Sequence, residues 1–132
     1  MVEDCHFEGN RADLTGGAVF LQGKTTVSDT TFVANTAGID GCAMVVSAYD
    51  EGTTPADRTF DTVVVHQNAC DGQGGALRVS SAMRCIDCDF GLGPTDNAPG
   101  DVSDYDDLHT NYADGLTFDC TIQSDKPQCP NM

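Results

Sequence analysis

The chain contains no tryptophan, few basic residues and no long apolar run. Six lysines and arginines stand against 21 acidic residues, so the formal net charge at pH 7 is -15. This charge repels nucleic acid and anionic membranes, and we expect neither as a partner. Because no apolar stretch is long enough to span a bilayer, we also expect no membrane insertion. Short apolar runs and 14 glycines predict a β-rich, turn-rich single domain of 132 residues.

An internal repeat covers about two thirds of the chain. One column of equivalent positions contains Phe7, Phe32, Val65 and Phe90, at intervals of 25, 33 and 25 residues. The stretch "YDEGTTPA" at 49–56 accounts for the longer interval, and we expect it to form a surface loop. Apolar and polar residues alternate within each unit, as is typical of half-buried strands. Repeats of this length predict stacked units, with equivalent residues about 4.8 Å apart.

Residues 2–18 read V-x-D-C-x-F-x-G-N-x-A-x-x-x-G-G-A. This pattern resembles the repeat of right-handed parallel β-helices with the pectate lyase fold, particularly the units of bacterial secreted and outer-surface proteins. The resemblance implies an all-β fold: a right-handed parallel β-helix (solenoid) of about four coils over residues 1–93, with an irregular C-terminal cap.

The resemblance also implies an internal amide ladder at a turn, formed by Asn10, Asn35 and Asn68. Asparagine tolerates the left-handed backbone of a sharp turn, so we expect that conformation at the ladder. The fourth unit has Gly93 at the ladder position, and regular coiling is therefore expected to end there.

The remaining residues, 94–132, are rich in proline, glycine, asparagine and aspartate. We predict an irregular acidic cap over the open end of the stack, with one strand-like run at 116–122. The candidate metal ligands in this segment are Asp96, Asp101, Asp104, Asp106 and Asp107. Carboxylates in flexible loops suit calcium, although the spacing matches no EF-hand, and the alternative is a solvated acidic loop.

Seven cysteines favour an oxidising location, outside the cell or at its surface. Candidate disulfides join Cys42 to Cys70, which flank the same turn in adjacent units, and Cys120 to Cys129. Cys85 and Cys88 form a C-x-x-C, which we interpret as small core residues. The alternative is a zinc site formed by these two with Cys120 and Cys129. Since Met1 is followed at once by repeat sequence, we expect either a trimmed piece of a longer secreted precursor or an engineered fragment.

Three classes of function remain open. The first is a non-catalytic extracellular module for surface display or adhesion, which binds a protein or glycan ligand. The second is a structural subunit that self-associates through open ends and stacks head to tail into a filament. The third, implied by the resemblance to pectate lyases, is a polysaccharide lyase that uses Arg78 or Arg84 as its base.

We favour the first class. About four coils leave little room for several sugar subsites, and a fold alone does not fix a function. The three histidines are His6, His66 and His109, and the repeat places no serine or reactive cysteine beside them. The sequence therefore predicts no catalytic residue.

Overall fold

In a computed structural model the chain is all-β, and most of its strands run parallel. The structure describes residues 1–47, 57–72, 76–79, 82–91 and 93–100, and the backbone of four further strands within 102–128. Among these residues there is no α-helix; Gly93–Thr95 form a single 3-10 turn. The expected loop at 49–56 lies outside the described residues.

Each repeat unit contributes short strands in the same order. The first unit has β1 (Val2–Glu3), β2 (His6–Glu8), β3 (Arg11–Ala12) and β4 (Val19–Leu21). The second has β5 (Thr25–Ser28), β6 (Thr31–Val33), β7 (Thr36–Ala37) and β8 (Met44–Val46). The third has β9 (Arg58–Asp61), β10 (Val64–His66), β11 (Ala69–Cys70) and β12 (Leu77–Val79). The fourth begins with β13 (Met83–Cys88), and β14 (Val102–Ser103), β15 (His109–Thr110), β16 (Leu116–Gln123) and β17 (Lys126–Gln128) follow.

The strands form four sheets, and the chain visits them in the same order in each of the first three units. The first sheet has the order β1-β5-β9-β13-β16-β17 and the second β10-β6-β2. The third has the order β11-β7-β3 and the fourth β15-β14-β12-β8-β4. Strands from successive units pair in parallel, which is compatible with a β-helix-like fold.

The register agrees with the spacing of the repeat. Phe7 pairs with Phe32, and Phe32 pairs with Val65. In the fourth sheet Met44 pairs with both Val19 and Leu77. The third unit, which follows the second at an interval of 33 residues, makes the same contacts with it that the second unit makes with the first at an interval of 25. The longer interval is compatible with this register because the extra residues precede β9.

Among the described side chains, the hydrophobic core is formed mainly by one face of the strands of the first, second and fourth sheets, up to β13. Its largest apolar members, each under 2% exposed, include Phe32, Phe60, Phe90, Met44, Leu77 and Met83. Burying a side chain of this size contributes roughly 1.5 to 3 kcal/mol. Phe7 and Phe32 stack with centroids 4.9 Å apart and planes within 4°. Stacking of equivalent residues thus supplies much of the contact between neighbouring units.

Two of the turns that recur along the repeat each contain a residue with left-handed backbone. The first turn has it at Asp4, Asp29, Thr62 and Asp87. The second has it at Gly9, Ala34 and Gln67, each directly before a ladder asparagine. The expectation that the asparagine itself takes this conformation is therefore wrong. The preceding residue makes the bend, and the amide side chain is left to point into the stack.

The fourth unit continues beyond Gly93. Asn97 takes the ladder position, 29 residues after Asn68, because the Gly93–Thr95 turn lengthens this unit. Ala98 then bridges Ala69 in parallel. Strand β14 pairs in parallel with β12. Parallel pairing therefore reaches Ser103, ten residues past the expected end of regular coiling at Gly93.

Antiparallel strands follow the last parallel ones. Strand β16 contains the predicted run 116–122 and pairs antiparallel with β13, while β17 pairs antiparallel with β16. In the fourth sheet β15 pairs antiparallel with β14. The segment after residue 94 therefore contains three strands that the sequence analysis did not predict: β14, β15 and β17.

Candidate functional site

The amide ladder runs through four units. Asn10 Nδ2 donates to Asn35 Oδ1 and Asn35 Nδ2 donates to Asn68 Oδ1, both at 2.9 Å. Asn68 Nδ2 donates to Asn97 Oδ1, also at 2.9 Å. The backbone N–H of each donor asparagine reaches the same Oδ1 as its side chain does. Asn35 and Asn68 are fully buried, so water cannot hydrogen-bond to their amides. The ladder supplies the partners that these buried polar groups need.

The remaining column residues lie in the core beside the ladder. Phe32, Val65 and Phe90 are each 1% exposed, and Phe7 is half-buried at the end of the stack. These residues, like the ladder, hold neighbouring units together and present no reactive group. Their arrangement positions the outward-facing side chains.

A groove of about 290 Å³ crosses the outer face of the third sheet. Arg11, Thr36 and Ala69 face it from adjacent strands β3, β7 and β11. The residues two positions after these are Asp13, Gly38 and Asp71, which also line the groove. The groove therefore spans three repeat units.

Gly38 allows the backbones of the first and second units to approach closely beside the groove. A Cβ atom at this position would lie 2.2 Å from the carbonyl oxygen of Asp13, so no other residue fits without a backbone shift. Asp13 and Asp71 occupy the same column on either side, and both are exposed. Arg11 Nε lies 4.0 Å from Asp13 Oδ1. The groove thus offers a guanidinium donor, carboxylate acceptors and a hydroxyl along a floor of small residues.

The sequence analysis did not identify this groove. Its residues follow the same intervals as the core columns, so extending the alignment to Arg11, Thr36 and Ala69 would have placed them together. The outward-facing members differ from unit to unit, whereas the inward-facing members repeat. A search for repeated residue types therefore detects the core and passes over the groove.

Two histidine–carboxylate pairs lie on the outer face of the second sheet. His66 Nε2 is 2.9 Å from Asp89 Oδ1, and His6 Nε2 is 3.1 Å from Glu8 Oε2. His66 and Asp89 are partly buried, with side chains 22% and 33% exposed. Among the described residues His66 Nε2 has no hydrogen-bond partner, so its contact with the Asp89 carboxylate is an ion pair when the ring is protonated. His6 and His66 belong to different columns, as the repeat predicts.

The candidate lyase base Arg78 forms an ion pair. Its guanidinium contacts the carboxylate of Asp40, which is 7% exposed. Arg84 is half-buried on β13, opposite Thr59 and Asp119. The sequence analysis missed a further arginine, Arg58, which is fully buried and whose Nη1 donates to the Ala82 carbonyl at 3.4 Å.

One predicted disulfide is formed. Cys42 and Cys70 are bonded, with their Cα atoms 5.3 Å apart. Cys120 lies in β16, whose side chains are outside the described part, and Cys129 lies outside the described residues. Cys5, Cys85 and Cys88 are free thiols.

Cys85 and Cys88 are completely buried, in agreement with their interpretation as core residues. Burial raises the pKa of the Cys85 thiol well above its usual range, and the neighbouring Cys88 thiol adds to the shift. A thiol in this environment stays protonated and is a poor nucleophile.

The candidate calcium ligands fall almost entirely outside the described residues. Asp96 is described, and its Oδ1 accepts a hydrogen bond from the backbone of Asn97 at 3.0 Å. Asp101, Asp104, Asp106 and Asp107 lie outside the described residues. Within the described ranges, no three histidine, cysteine or acidic side chains converge as a metal site would require.

Comparison with protein-family models, with curated proteins and with solved structures finds no match to the chain. In the described part of the chain, no helix is both long and apolar enough to cross a membrane.

Proposed function

We propose that the chain is a right-handed parallel β-helix that acts outside the cell as a non-catalytic module for display and adhesion. The parallel register of successive units and the constant order of the sheets support the helix. The hand follows from the resemblance of the repeat to right-handed examples. A stack of this kind is rigid because each unit is hydrogen-bonded to the next along four sheets.

The groove on the third sheet is the observation that carries the binding function. Arg11, Asp13 and Asp71 are exposed on short strands and turns that backbone hydrogen bonds hold in place. Because the backbone of the site is already fixed, only the side chains lose conformational entropy when a ligand binds. Its mixture of donors and acceptors suits a polar extracellular ligand, either a glycan or a polar protein loop.

The Cys42–Cys70 disulfide supports a location outside the cell. Disulfides persist in oxidising compartments and are rare in the cytosol. This bond joins the second and third units beside the groove, since Cys70 also lines it. Oxidation would therefore stabilise the binding face. Calcium binding by the acidic segment remains a separate prediction.

A binding screen with groove variants tests the proposal. The chain and an Arg11→Ala/Asp71→Asn variant are applied to glycan and extracellular-protein arrays, with Thr26→Ala as the control because Thr26 is exposed on the first sheet. We expect the groove variant to bind at least about tenfold more weakly, the effect of losing one or two charge-assisted hydrogen bonds. The control should bind as the unchanged chain does. The absence of any ligand, or equal binding by the groove variant, would contradict the proposed function.

A further inference from the structure

One rim of the groove on the third sheet has a carboxylate at each end. Asp13 lies in the first unit and Asp71 in the third, and Gly38 of the second unit lies between them in the same column. Neighbouring strands are about 4.8 Å apart, so the two aspartate positions are about 9.6 Å apart along the stack. Because Gly38 has no side chain, the rim has a gap between the two carboxylates.

Both carboxylates are accessible to a ligand. The Asp13 side chain is 95% exposed, and its 4.0 Å contact with Arg11 Nε is too long for a strong hydrogen bond. Asp71 is exposed, and no basic side chain in the described part of the chain contacts it. The net charge of -15 attracts cations to this face and repels anions. The groove therefore favours a cationic ligand.

The opposite rim carries hydrogen-bond donors. Arg11 and Thr36 project from β3 and β7, two residues before the aspartate column, so the two rims are about 6.6 Å apart. Ala37 and Ala69 belong to the floor of small residues. Lysine suits this cross-section, because its apolar stem packs on small apolar groups while its ammonium stays at the wet rim. An amino sugar carries its amine directly on a hydroxylated ring and has no such stem.

The spacing of the two aspartates matches one backbone conformation of a bound peptide. In a polyproline II helix, residues three positions apart point the same way and lie about 9.3 Å apart. In a β-strand, residues two positions apart share a side but lie only about 6.6 Å apart, which is too short to reach from Asp13 to Asp71. The polyproline II backbone makes no internal hydrogen bonds, so its carbonyls are able to accept from Arg11 and Thr36.

We propose that the groove binds an extended basic segment of a partner protein, with two lysines three residues apart. One lysine ammonium pairs with Asp13 and the other with Asp71, and the residues between the lysines cross the gap at Gly38. Arg11 and Thr36 donate to backbone carbonyls of the segment. The inference rests on the proposed binding function of the groove and names the class of ligand that it takes.

Three capped peptides test the spacing and the charge. The sequence PKPPKP has its lysines three apart on a proline-rich backbone that favours polyproline II. The sequence PKPKPP has the same composition with the lysines two apart, and PEPPEP reverses the charge. Each peptide is titrated into the isotope-labelled full chain at low ionic strength, and binding is followed by nuclear magnetic resonance shifts of the groove amides.

We expect PKPPKP to bind one-to-one at up to about millimolar concentration, the range of a weak association. PKPKPP should bind about threefold to fivefold more weakly, the upper range for the loss of one exposed ion pair. PEPPEP should not bind, because the acidic chain repels it. Added salt should weaken the binding of PKPPKP, since salt screens exposed charges.

Two matched variants of the chain separate the groove from the net charge. Asp71→Asn removes one groove carboxylate, and Asp29→Asn removes the same charge from an exposed turn between β5 and β6. Both positions are exposed, so both variants should fold, which circular dichroism verifies. We expect Asp71→Asn to bind PKPPKP about threefold to fivefold more weakly and to lose the preference for three-residue spacing. Asp29→Asn should bind as the unchanged chain does.

Equal binding of the two lysine peptides, or an equal effect of the two substitutions, would show attraction to net charge alone and overturns the proposal. The absence of binding by PKPPKP overturns it as well. So does binding of a deacetylated chitin oligomer in the groove in place of the peptide. The array screen decides the proposed function separately, since a groove-dependent ligand without paired lysines would retain that function and reject the lysine segment.

Discussion

Asn35 Oδ1 accepts two hydrogen bonds from Asn10, one from the backbone N–H at 3.0 Å and one from Nδ2 at 2.9 Å. The two residues are 25 positions apart in the sequence, which is one repeat unit. A single side-chain oxygen thus accepts hydrogen bonds from both the backbone and the side chain of the asparagine in the neighbouring unit. Repetition of this contact explains why the chain uses the same asparagine-containing turn in successive units.

Asn35→Ala should be among the most destabilising changes at a polar position. It leaves the Asn10 donors and the Phe7 carbonyl without the Asn35 side chain, and it removes one of the two hydrogen bonds that Asn68 Oδ1 accepts from Asn35. We expect the free energy of unfolding to fall by about 2 to 4 kcal/mol, as measured by denaturant titration. Asn10→Ala is the control and should cost about 1 kcal/mol or less, because Asn10 is exposed. Equal losses of unfolding free energy in the two variants would contradict our view that the Asn35 hydrogen bonds matter more because they are buried.

Gly17→Ala should damage the turn between the third and fourth sheets. A Cβ atom on Gly17 would lie 2.0 Å from the Cys42 carbonyl oxygen and 2.6 Å from that of Thr36. Both contacts are with backbone, so we expect a loss of about 3 kcal/mol or more in unfolding free energy. Gly9→Ala is the matched control: Gly9 has a φ of 64°, but a Cβ atom there meets nothing within 4 Å. Gly9→Ala should lower the free energy of unfolding by about 1 to 2 kcal/mol. A larger loss for Gly9→Ala than for Gly17→Ala would contradict the close packing at Gly17.

The Cys42–Cys70 disulfide should contribute to stability through the loop that it closes. The two residues are 28 positions apart. Replacing both with serine should lower the free energy of unfolding by about 2 to 4 kcal/mol, measured without reductant. Added dithiothreitol should destabilise the unchanged chain by a similar amount and leave the double variant unaffected. A double variant that loses further stability in reductant would show that another disulfide matters.

Stability should decrease at alkaline pH because of Cys85. Its pKa is raised in the folded chain by burial, so the folded state keeps the proton that the unfolded state releases above about pH 8.5. The unfolded state then binds fewer protons, and the free energy of unfolding falls by up to about 1.4 kcal/mol per pH unit. Below that pH both states are protonated and the contribution is constant.

Cys85→Val tests this pH dependence. Valine occupies the same column in the first two units, at Val2 and Val27, so the variant should fold. We expect its stability to decline less steeply above about pH 8.5 than that of the unchanged chain. Parallel stability curves for the two proteins would contradict a protonated Cys85 in the folded state.

Much of the fold follows from the sequence because equivalent residues recur at fixed intervals. The columns through Phe7 and through Val19 predict the observed pairing of three units. The continuation through Asn97 was missed because the Gly93–Thr95 turn changes the interval to 29 residues. An insertion is visible in a sequence only when repeat signals recur on both sides of it, and few do after Phe90.

The candidate site was harder to predict than the fold. Groove residues such as Arg11 and Asp71 face solvent, where neither packing nor the ladder requires a particular residue type. The ion pair between Asp40 and Arg78 joins residues from different columns, so no alignment of the repeat places them together. Such contacts depend on how side chains cross between units, which spacing alone does not specify.

The account depends most on the parallel register of successive units, and nuclear Overhauser contacts in isotope-labelled protein test it directly. We predict backbone amide-to-Hα contacts between neighbouring positions of β2 and β6 around Phe7 and Phe32, and between β8 and β12 around Met44 and Leu77. Contacts that instead connect these strands in antiparallel order, or with residues from unrelated positions in the repeat, would contradict the stacked arrangement.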